Sequence, residues 1–307
     1  MTSRDPESVA VALVAPGKGI LAADETIPTL TKRFNVLGIQ STEESRRAYR
    51  EMLFISPGVS EFISGAIMYD ETIRQKSSGG SPLVKALAAQ GILPGIKVDA
   101  GAKPLAGSPG ETVTEGLDGL RDRLSEYRSM GACFAKWRAV IRVTETLPSS
   151  GCVSANAHAL GRYAAQCQEQ ELVPIVEPEV LMDGSHTIER CEQVTGNILQ
   201  AVFHALFEQG VTLEATAQAQ HGPCRQELQS ASFRPGGRDG DIALLAAARA
   251  CCRAWHRFPV GRSKRAPSNG PSECNQPASW PETLENQLLL RTGTSGSGSR
   301  GLAWERG

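Results

Sequence analysis

Short runs of apolar, β-branched residues alternate with longer stretches of helical period from Gly19 to about Thr216. That alternation is the pattern of successive βαβ units building a parallel sheet. It predicts six strands: Lys18 to Asp24, Ser64 to Asp70, Gly95 to Asp99, Cys133 to Ile141, Val173 to Val180 and Val211 to Thr216. Helices fit between them at Thr42 to Phe54, Leu83 to Gln90, Leu117 to Met130, Val153 to Gln168 and Thr187 to Glu208. Thr42 followed by Glu43 and Glu44 opens the first of these, and Gly131 and Gly210 stop two others, as helix termini require. No internal repeat interrupts the series.

After Thr216 the pattern stops. Arg outnumbers Lys eleven to one in the last 91 residues, three of the four Trp fall there, and strand-like runs disappear. Stretches such as SFRPGGRDG and RTGTSGSGSRG predict a low-complexity, disordered tail over residues 217–307, with helical character only at Asp239 to Arg253. The expected organisation is therefore one α/β domain over residues 1–216 followed by an irregular tail.

A hydrophobic fraction of 40% suffices for a sizeable core, and a formal net charge of −1 provides no basic field for nucleic acid or anionic lipid. No apolar run is long enough to span a membrane, and the opening MTSRDPESVAVALVAPGKG is broken early by Pro16 and Gly17. A cytoplasmic protein follows. Its eight cysteines, at 133, 152, 167, 191, 224, 251, 252 and 274, form no C-x-x-C pair and no metal spacing with the five histidines, so reduced thiols and no metal are expected. Charged residues recur at the predicted strand ends. In a β/α barrel those ends share the active-site face, which would bring Asp24, Lys97, Lys136 and Glu177 to one cavity.

Five segments carry more specific information: APGKGILAADE, TEESRRAYR, GIKVD with PLAG and GETVTEGLDGL, FAKWR, and IVEPEV followed by DGSH. Their order and spacing resemble the class I fructose-bisphosphate aldolase family across most of the first 216 residues. Read by their chemistry alone, the segments place cations suited to phosphate beside carboxylates suited to proton transfer, with no need of a metal or cofactor. Lys136 and Arg138, two apart on one strand, must share a face.

The resemblance implies a (β/α)8 TIM barrel, cleavage of fructose 1,6-bisphosphate through a Schiff base, a phosphorylated sugar as substrate and a homotetramer. It also implies roles. Asp24 would orient and help deprotonate a substrate hydroxyl, and Glu177 would serve carbinolamine formation and dehydration with support from Glu179. Lys136 and Arg138 would shape the charge at the reacting carbons, while Thr29, Arg33 and Lys97 match positions that meet the phosphates.

Two departures from the family pattern stand out. Where the family reads LAADESTGSIAKR, this chain reads LAADETIPTLTKR; Pro28 removes a backbone donor and Thr29 replaces a serine. Where the family continues LEGTLLKPNMV, with the lysine that forms the Schiff base, this chain reads LEATAQAQHGP. No lysine occurs between Lys136 and Lys264, so no Schiff-base lysine is assigned.

The genetic code accounts for the second departure. Back-translating Thr216 to Gly222 and moving the frame by one base yields codons that can spell L-L-K-P-N-M-V. Ala254 to Arg265, shifted likewise, can spell P-G-I-V-F-L-S-G-G-Q-S-E, which resembles the family's seventh strand and its phosphate-binding loop. The residues after about Thr216 thus read as an out-of-frame translation of an aldolase coding sequence. Six in-frame strands cannot close an eight-stranded barrel, and they would leave two unpaired edges prone to aggregation. Two readings follow, an aldolase whose activity is impaired or a catalytically dead partial-barrel binding protein. A third, a tail that binds RNA or protein through its arginines, has no supporting motif.

Overall fold

The structure, a computed structural model, describes residues 5–218. The expected tail lies outside these residues except for Ala217 and Gln218. A six-stranded parallel sheet runs through the described part in the order β1 (Gly19–Ala23), β2 (Ile63–Met68), β3 (Leu93–Lys97), β6 (Phe134–Ile141), β7 (Val173–Val180) and β8 (Ala217–Gln218). The short strands β4 (Ala102–Pro104) and β5 (Thr112–Thr114) form an antiparallel hairpin between β3 and β6 in sequence. The fold is α/β, with helices linking the parallel strands as in a TIM barrel, six of whose strands are present among the described residues.

The sheet is curled. Asp24, which follows β1, lies three strand spacings from β6, or about 14 Å on a flat sheet. Yet its carboxylate is 3.5 Å from Lys136 Nζ on β6. Only a sheet bent into a trough brings those side chains together.

Register decides what the trough contains. Gly95, Phe134 and Val173 are paired neighbours, as are Lys97 and Lys136, and Arg138 and Glu177. Side chains alternate between faces, so β6 presents Phe134, Lys136 and Arg138 to the inside and β7 presents Val173, Ile175, Glu177 and Glu179. Along each strand the inner face turns from apolar to charged. The apolar end is plugged by α1 (Pro6–Leu13), whose Val9, Ala10 and Leu13 pack with Ile67, Leu93, Phe134 and Ile175. Glycine is required here: a Cβ on Gly95 would come within 2.2 Å of the Phe134 ring.

The outer face of the sheet is mostly apolar and buries Trp137, Ala139 and Ile141 against α8 (Ser150–Glu169) and α9 (Ile188–Glu208). Trp137 meets Tyr163 of α8 with ring centroids 5.4 Å apart, and the Tyr163 hydroxyl donates to the Ile175 carbonyl at 3.2 Å. The remaining helices are α2 (Ile27–Val36), α3 (Glu43–Ile55), α4 (Val59–Phe62), α5 (Asp70–Arg74), α6 (Leu83–Ala89) and α7 (Leu120–Met130). Thr42 caps α3 through a capping box with Ser45, Thr187 caps α9 and left-handed Gly131 ends α7, as the sequence signals predict.

The sequence missed α1, α2, α4, α5 and the hairpin, all short elements with little periodicity to read. The predicted sixth strand, Val211 to Thr216, is corrected. Residues 213–215 form a 3-10 turn, and the strand begins at Ala217, paired with Ile175. The segment is clamped to the end of α8 instead: Gln168 Nε2 donates to the carbonyls of Thr212 and Ala215, and Gln168 Oε1 accepts from Thr212 N. Ala217 and Gln218 therefore belong to the sheet and not to the tail.

Candidate active site

The charged end of the trough is built from neighbouring strands. β1 ends at Ala23 and delivers Asp24; β3 ends in Lys97; β6 and β7 supply Lys136, Arg138, Glu177 and Glu179. Lys136 and Glu177 do not terminate their strands, as the sequence reading has it. β6 and β7 pair over eight residues, from Phe134 with Val173 to Ile141 with Val180, and so run past the level where β3 stops. The two residues reach the cavity by facing inward, not by standing at a strand end.

Lys136 is the hub. Its ammonium lies 3.0 Å from Glu177 and 3.5 Å from Asp24, and all three side chains are at most 13% exposed. Burial by itself would push this ammonium down, but the two carboxylates outweigh it and hold Lys136 above its ordinary value. It is therefore a cation at neutral pH, with no lone pair to offer as a nucleophile. Arg138 pairs with Glu179; burial opposes its charge, and the Glu179 contact holds the guanidinium above its ordinary value.

Lys97 pairs with Asp99, a residue the sequence reading passed over. Asp99 is buried, and besides Lys97 it accepts from Gly101 N at 3.0 Å and from Arg138 N at 3.3 Å. It ties the end of β3 to β6. Its signal was present in the period-two step from Lys97 in GIKVD, which places both side chains on one face.

Thr29 and Arg33 stand apart. Both are exposed on α2, where Thr29 shares a hydroxyl contact of 3.0 Å with Thr26 and Arg33 pairs with Glu25. Pro28 falls in the first turn of α2, where its missing N–H has no intrahelical partner to lose. Behind α2, fully buried Arg50 donates to the Glu25 carbonyl. This contact fixes the chain just after Asp24, and no sequence pattern announced it.

The arrangement combines proton-transfer groups with a fixed buried cation. No cluster of His, Cys, Asp and Glu side chains suited to a metal ion occurs among the described residues. Cys133, Cys152, Cys167 and Cys191 are free thiols, and burial pushes Cys152 up to about 11. No helix among the described residues is long and apolar enough to cross a membrane.

Comparison with known proteins identifies the family and the fold. The family profile described as Fructose-bisphosphate aldolase class-I matches residues 6–220. A probable fructose-bisphosphate aldolase class 1 of Xanthomonas campestris is 63% identical over 207 residues, which are 67% of this chain and 62% of that protein. Human fructose-bisphosphate aldolase C is 48% identical over 214 residues, covering 69% of this chain and 59% of its own length. The chain thus spans about three fifths of the length of these relatives. A solved structure of fructose-bisphosphate aldolase from Plasmodium falciparum, in complex with TRAP and a small-molecule inhibitor, superposes with a TM-score of 0.74 at 41% identity, covering 80% of this chain and 70% of that one. On the match over residues 6–220, the chain belongs to the class-I fructose-bisphosphate aldolase family.

Proposed function

We propose that this chain carries the proton-handling and phosphate-facing part of a fructose-bisphosphate aldolase site and that, as written, it does not turn over. The observation that carries the reading is the Lys136 ammonium held between Asp24 and Glu177. In the Schiff-base reaction an amine adds to the C2 ketone of fructose 1,6-bisphosphate. Glu177 then protonates the departing hydroxyl, so that water leaves and an iminium remains. Asp24 accepts the C4 hydroxyl proton while the C3–C4 electron pair moves onto the iminium, giving an enamine and glyceraldehyde 3-phosphate. Hydrolysis of the enamine adduct releases dihydroxyacetone phosphate and regenerates the amine.

This chain has the proton-transfer groups but not the amine. Lys136 is charged and Lys97 is committed to Asp99. Between Lys136 and Lys264 the sequence has no lysine, and Gln218 and Ala219 stand where the family's lysine segment begins. Without an iminium the carbanion has no electron sink, a loss on the order of 7 kcal/mol in the barrier, or about five powers of ten in rate. Thr29, Arg33, Lys97 and Arg138 would still offer phosphate contacts, which favours a binding protein as the second reading.

The test is borohydride reduction of the full chain in the presence of dihydroxyacetone phosphate, followed by mass analysis and a cleavage assay. No adduct near residues 217–220 and no turnover are expected. A stoichiometric adduct, or a rate within tenfold of an ordinary aldolase, would overturn the proposal.

A further inference from the structure

Asp24 lies one residue past the last paired position of β1, Ala23 with Met68. Its seat against Lys136 therefore depends on how the chain is held beyond the strand. We propose that Arg50 is the positioning residue for Asp24: its guanidinium grips the chain at Glu25 and so keeps the Asp24 carboxylate on Lys136. The inference rests on the reading above, in which Asp24 accepts a proton, and it adds a residue of α3 that acts through Asp24.

Arg50 is fully buried, and its Nη2 donates to the carbonyl of Glu25, the residue next to Asp24. A guanidinium is taken out of water only where its charge is met. Here it is met from the far side. Glu71 Oε2 lies 3.5 Å from Nη1, and the cation stands over the Tyr69 ring, 5.6 Å from its centroid. Both residues belong to the segment that follows β2, at the start of α5. Glu71 is itself fixed by Arg46, whose Nε donates to Oε2 at 2.9 Å. Arg50 thus ties the segment after β1 to the segment after β2, with α3 as the mount. The Glu25 side chain does not supply this grip, because Oε1 faces the half-exposed Arg33 and Oε2 is buried with no hydrogen-bond partner. Asp24 is near enough to act on the guanidinium: burial pulls Arg50 below its ordinary value, and Glu25, Glu71 and Asp24 oppose that pull. A planar fork aims separate N–H groups at Glu25 and Glu71, which an ammonium on a flexible stem cannot do.

The readout is the reactivity of Lys136, paired with Asp24, against that of Lys97, paired with Asp99 and similarly covered at 13% exposure against 11%. The full chain and its variants are treated with formaldehyde and cyanoborohydride at neutral pH, and methylation of each lysine is followed by peptide mass analysis. Arg50→Met should release Asp24. With one of its two carboxylates gone, Lys136 should methylate about tenfold faster, the effect of one unit in its pKa, while Lys97 changes by less than about twofold. Arg50→Lys should quicken Lys136 by about threefold, since it keeps the charge and loses the fork. On an Asp24→Asn background Arg50→Met should add nothing, because the contact it controls is already lost.

An unchanged Lys136 in Arg50→Met overturns the proposal, and so does an equal rise at Lys97, which marks general loosening. A further rise on the Asp24→Asn background also overturns it, because Arg50 would then act by another route. If Arg50→Met does not fold, Arg50→Lys decides the matter, and an unchanged ratio of Lys136 to Lys97 overturns the proposal. The measurement reads no turnover, so a failure of the aldolase reading, seen in the borohydride and cleavage assays, stands apart from a failure here.

Discussion

The centre of the sheet and its first strand are built to different standards. β6 and β7 pair over eight residues, and every residue of β7 is buried. β1 runs for five residues, mostly half-exposed. The chemistry follows the same division. Lys136, Arg138, Glu177 and Glu179 come from the central pair, where each charge meets an opposite one and all but Arg138 are buried. Arg33, reached through the end strand β1, pairs in the open. Burying an ion demands a partner held in place by packing. Asp24 meets that demand from the end strand only because the curl of the sheet brings it to Lys136 on the central pair.

Replacing the residues after Thr216 with the family's in-frame sequence attacks this contrast most directly. It supplies the lysine that the family keeps there, and a gain of about five powers of ten in turnover is expected from the restored electron sink. A chain so repaired that remained inactive would place the defect within residues 1–216, with Pro28 the first suspect.

Next in size is the packing difference. Trp137→Ala empties a fully buried site on β6 and should cost about 4 kcal/mol in urea unfolding. Leu21→Ala, on half-exposed β1, should cost no more than about 1.5 kcal/mol. Equal costs would mean that the end strand is packed as firmly as the centre.

Lys136→Met leaves Asp24 and Glu177 facing each other without their cation, and about 3 kcal/mol of stability should be lost at neutral pH. The sign of the pH dependence is fixed by the raised value of Lys136. Its contribution is fully present below the ordinary lysine range and is lost as pH rises through the higher folded-state value, above about pH 10. Thermal unfolding of the parent should therefore be flat with respect to this group at neutral pH and fall in strong alkali. Lys136→Met should flatten that alkaline fall, and a variant with an unchanged alkaline limb would show that Lys136 is not the cation in question.

The smallest effect belongs to the rim. Arg33→Ala removes an exposed pair with Glu25, worth less than about 1 kcal/mol of stability. Inorganic phosphate binding, followed by calorimetry, should nonetheless weaken severalfold. No change in phosphate affinity would remove Arg33 from the phosphate-facing set.

Much of the fold was legible because its strands are apolar runs between capped helices. Thr42, Thr187 and Gly131 stand at the helix ends the sequence marks, and five of the six strands lie within a few residues of where periodicity puts them. The sixth was misplaced because Gln168, forty-four residues earlier than Thr212, holds that segment at the end of α8. Side-chain clamps of that range leave no local periodicity. Asp99 was legible in principle from its spacing to Lys97, whereas the buried Arg50 looks in the sequence like any other charge on a helix.

By itself the sequence determined the order of the βα units and the family those units resemble. Residue identity and spacing are local properties, and they survive translation into text. Only the tertiary structure decided that Asp24 and Lys136, three strands apart in the sheet, are in contact, that Lys136 stays charged, and that Arg33 pairs with Glu25. Those outcomes depend on the curl of the sheet and on which charges it buries together, and both are properties of the whole assembly of strands rather than of any one of them.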